Sequence, residues 1–205
     1  EYELAASYYA ERDWDTARPL FEALIAEYAD QPFDTDGEWF VVDDALYLIG
    51  VIKQHSNDPA GAISAYGQLL VDYPASNRRM SALVGAASIH EQQGDRARAL
   101  SRYRQLVQEF PGEEASAEAQ LHVGHLLMAD NYWTDAAAAF QRVPAEWPES
   151  RHVPVALQFA NRALIHEELE DWEDHAAQRE LGAVDHESAI AENLALLRDS
   201  GAPQP

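Results

Sequence analysis

The strongest constraint on this chain is a spacing. Ala62, Tyr66, Leu69 and Tyr73 are followed by Pro74; Ala99, Tyr103, Leu106 and Phe110 by Pro111; Ala136, Phe140, Val143 and Trp147 by Pro148. Each set stands 37 residues after the one before. A further copy, Ala17, Phe21, Leu24 and Tyr28, lies 45 residues ahead of the first of these. Small, aromatic and aliphatic residues at i, i+4 and i+7 share one face of an α-helix. A fixed register of this length means stacked units, each packed only on its neighbours. The chain reads as an all-α array.

Each copy of the pattern is the second helix of a pair, and a turn signal stands before it. The signals are Asp13-Trp14-Asp15, Asn57-Asp58-Pro59, Gly94-Asp95 and Asn131-Tyr132-Trp133-Thr134. Aspartate caps a helix start and proline fits the first helical position, so Asp58-Pro59 is the clearest. The first helix of each pair precedes the turn, with apolar stretches at Leu4 to Tyr9, Leu46 to Ile52, Leu83 to Ile89 and Leu121 to Met128. Ser76 and Ser150 stand where the next pair is capped. A degenerate fifth pair follows, with Trp172 and Ala176 at the turn and small places and Glu180 where an aromatic belongs. Gly182 ends it, and Ile190, Leu194 and Leu197 mark a last amphipathic helix that covers the end of the array. The expected units are 1–30, 43–74, 77–111, 114–148 and 152–182, in a single domain of residues 1–200. An insertion occupies 30–43, a capping helix 186–199 and a disordered tail 201–205.

At this point the sequence resembles the tetratricopeptide repeat. Its small, aromatic, aliphatic and proline signature falls on the residues above, and its first-helix glycine on Gly50 and Gly124, with Ala87 and Ala5 at that place in the other two units. Lys53, His90 and Leu127 depart from its usual tyrosine, which only Tyr8 keeps. The resemblance implies a right-handed superhelix of about five antiparallel helix pairs plus the capping helix. It also implies a concave groove lined by first-helix side chains: Tyr9, Asp44, Tyr47, Val51, Ser81, Val84, Ser88, Glu91, Leu121, His125, Met128, Gln158 and Arg162. That set lacks the lysine and asparagine clamp with which some family members hold acidic peptide tails. The 37-residue period, with Tyr-Pro-x-Ser at 73–76 and Trp-Pro-x-Ser at 147–150, is similar to bacterial outer-membrane assembly lipoproteins and Tol-Pal coordinator proteins. This narrower likeness implies a periplasmic or outer-membrane-associated scaffold. The alternative it leaves is a cytoplasmic interaction domain of a larger regulatory protein.

Charge and composition narrow the partners. Fourteen basic against 36 acidic residues give a net charge of -22, a field that repels nucleic acid and anionic lipid. The mean hydropathy is -0.40, and no apolar run reaches the roughly 18 residues that a membrane span needs. The expected partner is therefore a protein segment, helical or extended, carrying basic and apolar residues. With no cysteine, disulfides, thiolate zinc sites and cysteine nucleophiles are excluded. The chain begins at Glu1, which is compatible with a leader or lipid anchor ahead of it.

Motifs for chemistry are missing. His122 and His125 stand three apart on a predicted helix, a spacing that could serve a metal, but no third ligand is signalled beside them. Glu113-Glu114 and Glu167-Glu168 read as solvated helix faces in so acidic a chain. There is no nucleophile elbow, phosphate loop or dinucleotide fingerprint, so neither catalysis nor a cofactor is expected. In the insertion, Phe33, Trp39 and Phe40 are too apolar for an ordinary loop. Packing over the seam between units one and two is preferred to a secondary docking site, because exposed apolar patches are a solubility liability. Asp34-x-Asp36-Gly37 resembles part of a calcium loop without its third acid and closing glutamate.

Of the basic residues only Lys53 is lysine, a bias that a GC-rich genome or a salt-adapted source would each produce. Self-repulsion at a net charge of -22 is screened by mobile ions. The melting temperature should therefore rise between low and near-molar sodium chloride, and a flat profile in differential scanning calorimetry would remove the argument for salt adaptation.

Overall fold

The structure, a computed structural model, describes residues 1–28 and 41–167. Eight helices follow in order: α1 Tyr2–Ala10, α2 Trp14–Tyr28, α3 Val41–His55, α4 Pro59–Asp72, α5 Arg79–Gln92, α6 Arg96–Glu109, α7 Glu114–Ala129 and α8 Trp133–Glu146. A ninth, α9, is helical over 153–167. Each of α1 to α8 packs on its neighbours in sequence, and the first helices also touch one another, α3 on α5 and α5 on α7. The result is a superhelical stack of antiparallel pairs with one face built from α1, α3, α5, α7 and α9.

The pairs close on the residues whose spacing defined the register. Ala17, Ala62, Ala99 and Ala136 are all fully buried, as are Phe21, Tyr66, Leu69, Leu106, Phe140 and Val143 to within a percent. The aromatic ring of each second helix lies over its own first helix where that helix has almost no side chain. A Cβ on Gly50 would stand 2.4 Å from the Tyr66 ring, and one on Gly124 would stand 2.5 Å from the Phe140 ring. The far side of the Tyr66, Tyr103 and Phe140 rings is closed by the next pair. For Tyr66 this is again a glycine, Gly85, whose Cβ would stand 2.7 Å from Tyr66 Cε2. For Tyr103 it is the stacked imidazole of His122, with centroids 4.7 Å apart, and for Phe140 it is Phe159 at 5.5 Å. Gly85, His122 and Phe159 occupy the same place in successive repeats.

The turns inside the pairs are equally regular. Arg12, Asn57, Gly94 and Asn131 hold the one left-handed residue of each turn, with φ of 60, 57, 74 and 62°. Only at Gly94 is that conformation free of a Cβ penalty. The residue after it caps the second helix: Asp13 Oδ1 accepts Thr16 N–H at 3.2 Å, Asp58 Oδ1 accepts Gly61 N–H at 2.9 Å, and Asp95 Oδ1 accepts Arg98 N–H at 3.1 Å. Tyr132 makes no such bond. The aromatics at the far end, Tyr73, Phe110 and Trp147, sit just past their helices as C-caps, since the prolines that follow disfavour helical backbone before them. Trp147 reaches back to bond the Pro111 carbonyl through Nε1 at 2.6 Å.

Several expectations need correction. Val41 to Asp43 belong to α3 and not to the insertion, with Val42 and Asp43 buried. Leu4 is 52% exposed, so the apolar stretch of α1 is not all core. Residues 29–40, with Phe33, Trp39 and Phe40, lie outside the described residues. So do the second helix of the fifth pair, the capping helix and the tail.

Substituting Gly85→Ala forces the Tyr66 ring to move and should destabilise the protein by about 1 to 3 kcal/mol in urea unfolding. Gly67→Ala, where an added Cβ meets nothing within 4 Å, should instead stabilise α4 by about 0.5 to 1 kcal/mol. Equal effects from the two would show that the ring contact does not hold the stack.

Candidate protein-binding groove

The first helices line one face of the stack, and two side-chain clusters divide that face. At the α1–α3 end Tyr2, Tyr9 and Tyr47 are half-buried, Tyr9 and Tyr47 beside the buried Tyr66 and Tyr2 against Phe21. The Tyr2 hydroxyl donates to Asp44 Oδ2 at 3.2 Å, and the Arg78 guanidinium pairs with Asp44 Oδ1. Arg78 lies over the Tyr47 ring, 5.5 Å from its centroid, and Tyr47 is tilted on Tyr66 at 6.0 Å. The Tyr66 hydroxyl donates to Gln54 Oε1 at 3.4 Å. Burial, helped by the Asp44 carboxylate, pushes the Tyr2 phenol up to about 12. Burial first, and Tyr47 next, also raises Tyr9. These phenols stay protonated at any physiological pH.

The second cluster is centred on Glu91. Its carboxylate accepts the Tyr103 hydroxyl at 2.7 Å and lies 3.0 Å from His122 Nδ1. One turn along α7, His125 sits edge-on to Phe140 at 5.1 Å and to Phe159 at 4.3 Å. Desolvation first, and the neighbouring His122 second, lower the His125 pKa. Between the clusters the lining is small, with Ser81, Gly85 and Ser88 half-buried and Val84 exposed. Ser88 Oγ accepts Gln92 Nε2 at 3.2 Å.

The structure places the expected groove residues unevenly. Tyr9, Asp44, Tyr47, Val51, Ser81, Ser88, Glu91, His125 and Met128 are half-buried, and Val84, Gln158 and Arg162 are exposed. Leu121 is the exception: at 6% exposure it is part of the core and offers a partner nothing. Asp44 and Glu91 are not open carboxylates, because Arg78 and Tyr2 hold the first while Tyr103 and His122 hold the second. As lining residues the sequence reading missed Tyr2, Gln54, Phe159 and Ile165, and it weighed His122 only as a metal ligand. Register points to most of them, since Gln54 and Ile165 stand 37 residues either side of Glu91 and Met128, and Tyr2 stands 45 before Tyr47. Arg78 lies between pairs, where no periodic signal falls. No set of three metal-ligating side chains comes together among the described residues.

This is the architecture of an α-solenoid scaffold, a stack of helix hairpins with a continuous lining on one side. The chain belongs to the tetratricopeptide repeat family: models described as "Tetratricopeptide repeat" match residues 84–151 and residues 1–30 with 44–76. Among solved structures it is similar in fold to a tetratricopeptide repeat protein from Parabacteroides merdae ATCC 43184, with TM-score 0.64 and 17% identity. The match covers 80% of this chain and 59% of that longer one. MamA from AMB-1 gives TM-score 0.54 and 16% identity over 81% of this chain and 82% of its own. The TPR-like repeats of a putative kinesin light chain from Podospora anserina give TM-score 0.56 and 15% identity over 82% of this chain and 86% of that one. Identities this low carry the fold alone. No curated protein matches the chain in sequence.

Two histidines carry a pH dependence. His90 is 5% exposed, its Nδ1 has no partner, and burial lowers its pKa as it does that of His125. A histidine whose pKa falls on folding contributes stability above its unfolded value, near 6.5, and loses it as the pH drops below that. His90→Leu installs what Leu127 supplies at the same place one repeat later. The variant should gain about 1 kcal/mol at neutral pH and lose less stability than the parent between pH 7 and pH 5. Urea titrations at the two values check this, and identical pH slopes would contradict it.

Proposed function

We propose that this protein is a binding scaffold that holds a protein segment along its first-helix face. The observation that carries the reading is the continuity of that lining. Half-buried Tyr9, Tyr47, Val51 and Met128, with exposed Val84, offer apolar places in three successive repeats and in α1. Serines and an aromatic–histidine cluster stand between them. Members of this repeat family act through protein–protein contact, and a site here needs no chemistry beyond recognition.

The charge argument takes a different form from the sequence expectation. Asp44 is already engaged by Arg78 and Tyr2, and Glu91 by Tyr103 and His122, so they do not themselves select a basic partner. The field of the whole chain, at a net charge of -22, still favours approach of basic segments and should make association faster at low salt. The 37-residue period with its Tyr-Pro-x-Ser and Trp-Pro-x-Ser linkers supports assigning the scaffold to the bacterial cell envelope, at the periplasm or outer membrane.

A partner recovered by pull-down tests the groove directly. Tyr47→Ala should weaken its binding by more than ~1 kcal/mol, since tyrosine contributes contact area at small entropic cost. Gln108→Ala, exposed on the second helix α6, should change it little. Isothermal titration of both variants decides the matter, and equal affinities would move the site off this face.

A further inference from the structure

The tyrosine end of the groove holds a surplus of one kind of hydrogen-bonding group. Its carboxylate and amide acceptors already hold partners: Asp44 receives the Arg78 guanidinium and the Tyr2 hydroxyl, and Gln54 Oε1 receives the Tyr66 hydroxyl. Its donors do not, because among the described residues the half-buried Tyr9 and Tyr47 have no hydrogen-bond partner for their hydroxyls. Both act on the ionisation of Tyr66 and Tyr47 acts on that of Tyr9, so the three phenols lie together. The Asp44–Arg78 pair is complete within the site and asks for no charge from a ligand.

What uses these donors brings acceptors and apolar surface, and in return the site offers a chain's N–H groups only the two hydroxyl oxygens and the remaining lone pairs of Asp44 and Gln54. A helix brings almost no free backbone carbonyls, because its own turns use them. An ordinary extended strand brings one N–H for every carbonyl, and each N–H buried without an acceptor costs about 1 to 3 kcal/mol. A proline-rich segment differs on both counts. Proline has no N–H, polyproline II makes no internal hydrogen bonds, and its carbonyls are therefore free. Its rings also lie well on aromatic faces.

We infer that the tyrosine end of the groove recognises a proline-rich segment in the polyproline II conformation, with the Tyr9 and Tyr47 hydroxyls donating to its backbone carbonyls. The inference rests on the groove reading and names the class of its partner. Basic residues flanking the prolines match the net charge of -22.

The test pans a phage-displayed library of random peptides on the whole protein. Selected sequences are then synthesised and titrated calorimetrically against the parent, Tyr9→Phe, Tyr47→Phe and Tyr47→Ala. The Phe variants keep the ring and remove only the donor, and far-ultraviolet circular dichroism checks their fold. Proline-enriched binders are expected, whose dissociation constants rise about threefold to tenfold in each Phe variant, the effect of one net hydrogen bond. Replacing their prolines by alanine should abolish binding. Binders that depend on Tyr47 but lack proline, or that tolerate the alanines, overturn this inference and leave the groove standing. Binders indifferent to Tyr47→Ala, or a library that yields none, overturn both.

Discussion

Everything in this array depends on an aromatic ring laid on a bare patch of helix. Phe21, Tyr66, Tyr103 and Phe140 can be buried only because Ala5, Gly50, Ala87 and Gly124 stand sixteen residues before them with little or no side chain. That contact brings the two helices of a pair close. The far face of the ring then has to be covered, and the next first helix covers it through Gly85, His122 or Phe159. A single ring thus fastens its own pair and joins it to the following one, so stability is shared between neighbours and not with the whole. Losing such a ring would cost about 3 to 5 kcal/mol, a large share of the stability of an ordinary domain.

The same rings shape the functional face. Where the ring is a tyrosine, the residue twelve places earlier is an acceptor: Gln54 for Tyr66 and Glu91 for Tyr103. Where the ring is phenylalanine, that place holds Met128 before Phe140 and Tyr9 before Phe21. A buried hydroxyl needs a partner, and both of these find theirs on the first helix of their own pair. The identity of a core ring therefore decides whether the lining residue beside it must supply an acceptor. This is why Glu91 serves the protein's own hydroxyl before any ligand's, and with Asp44 held separately by Tyr2 and Arg78 the groove is less acidic than the chain as a whole.

The last described helix, α9, shows the same rule failing. Asn161 stands where a glycine or alanine receives the ring in the other repeats. On the same helix Leu157 and Leu164 are 46% and 37% exposed, at places where Leu46, Leu83 and Leu127 are buried. The repeat register continues through α9 in its contacts to α8, with Trp133 stacked on His166 at 4.5 Å and Phe140 on Phe159. What it lacks, within the described residues, is the socket for a fifth ring.

Much of this was legible in the residues alone. Periodicity of 37, aromatic rings at i+4 from a small residue, Asp caps and the prolines determine the pairs, their turns and the family, because these are local rules of helix geometry and repeat unit by unit. Tertiary structure decided the rest. Which groove side chains are available depends on contacts between residues far apart in sequence: Tyr2 reaching Asp44, Arg78 reaching across from the linker, and His122 stacking on Tyr103. Register placed Leu121 on the lining, but the closeness of the neighbouring helices buried it. Net charge described the field of the chain, and only the packed face showed that its groove carboxylates were already paired. A repeat pattern specifies where a side chain sits within its unit, whereas its remaining hydrogen-bonding capacity depends on what the neighbouring units bring to it.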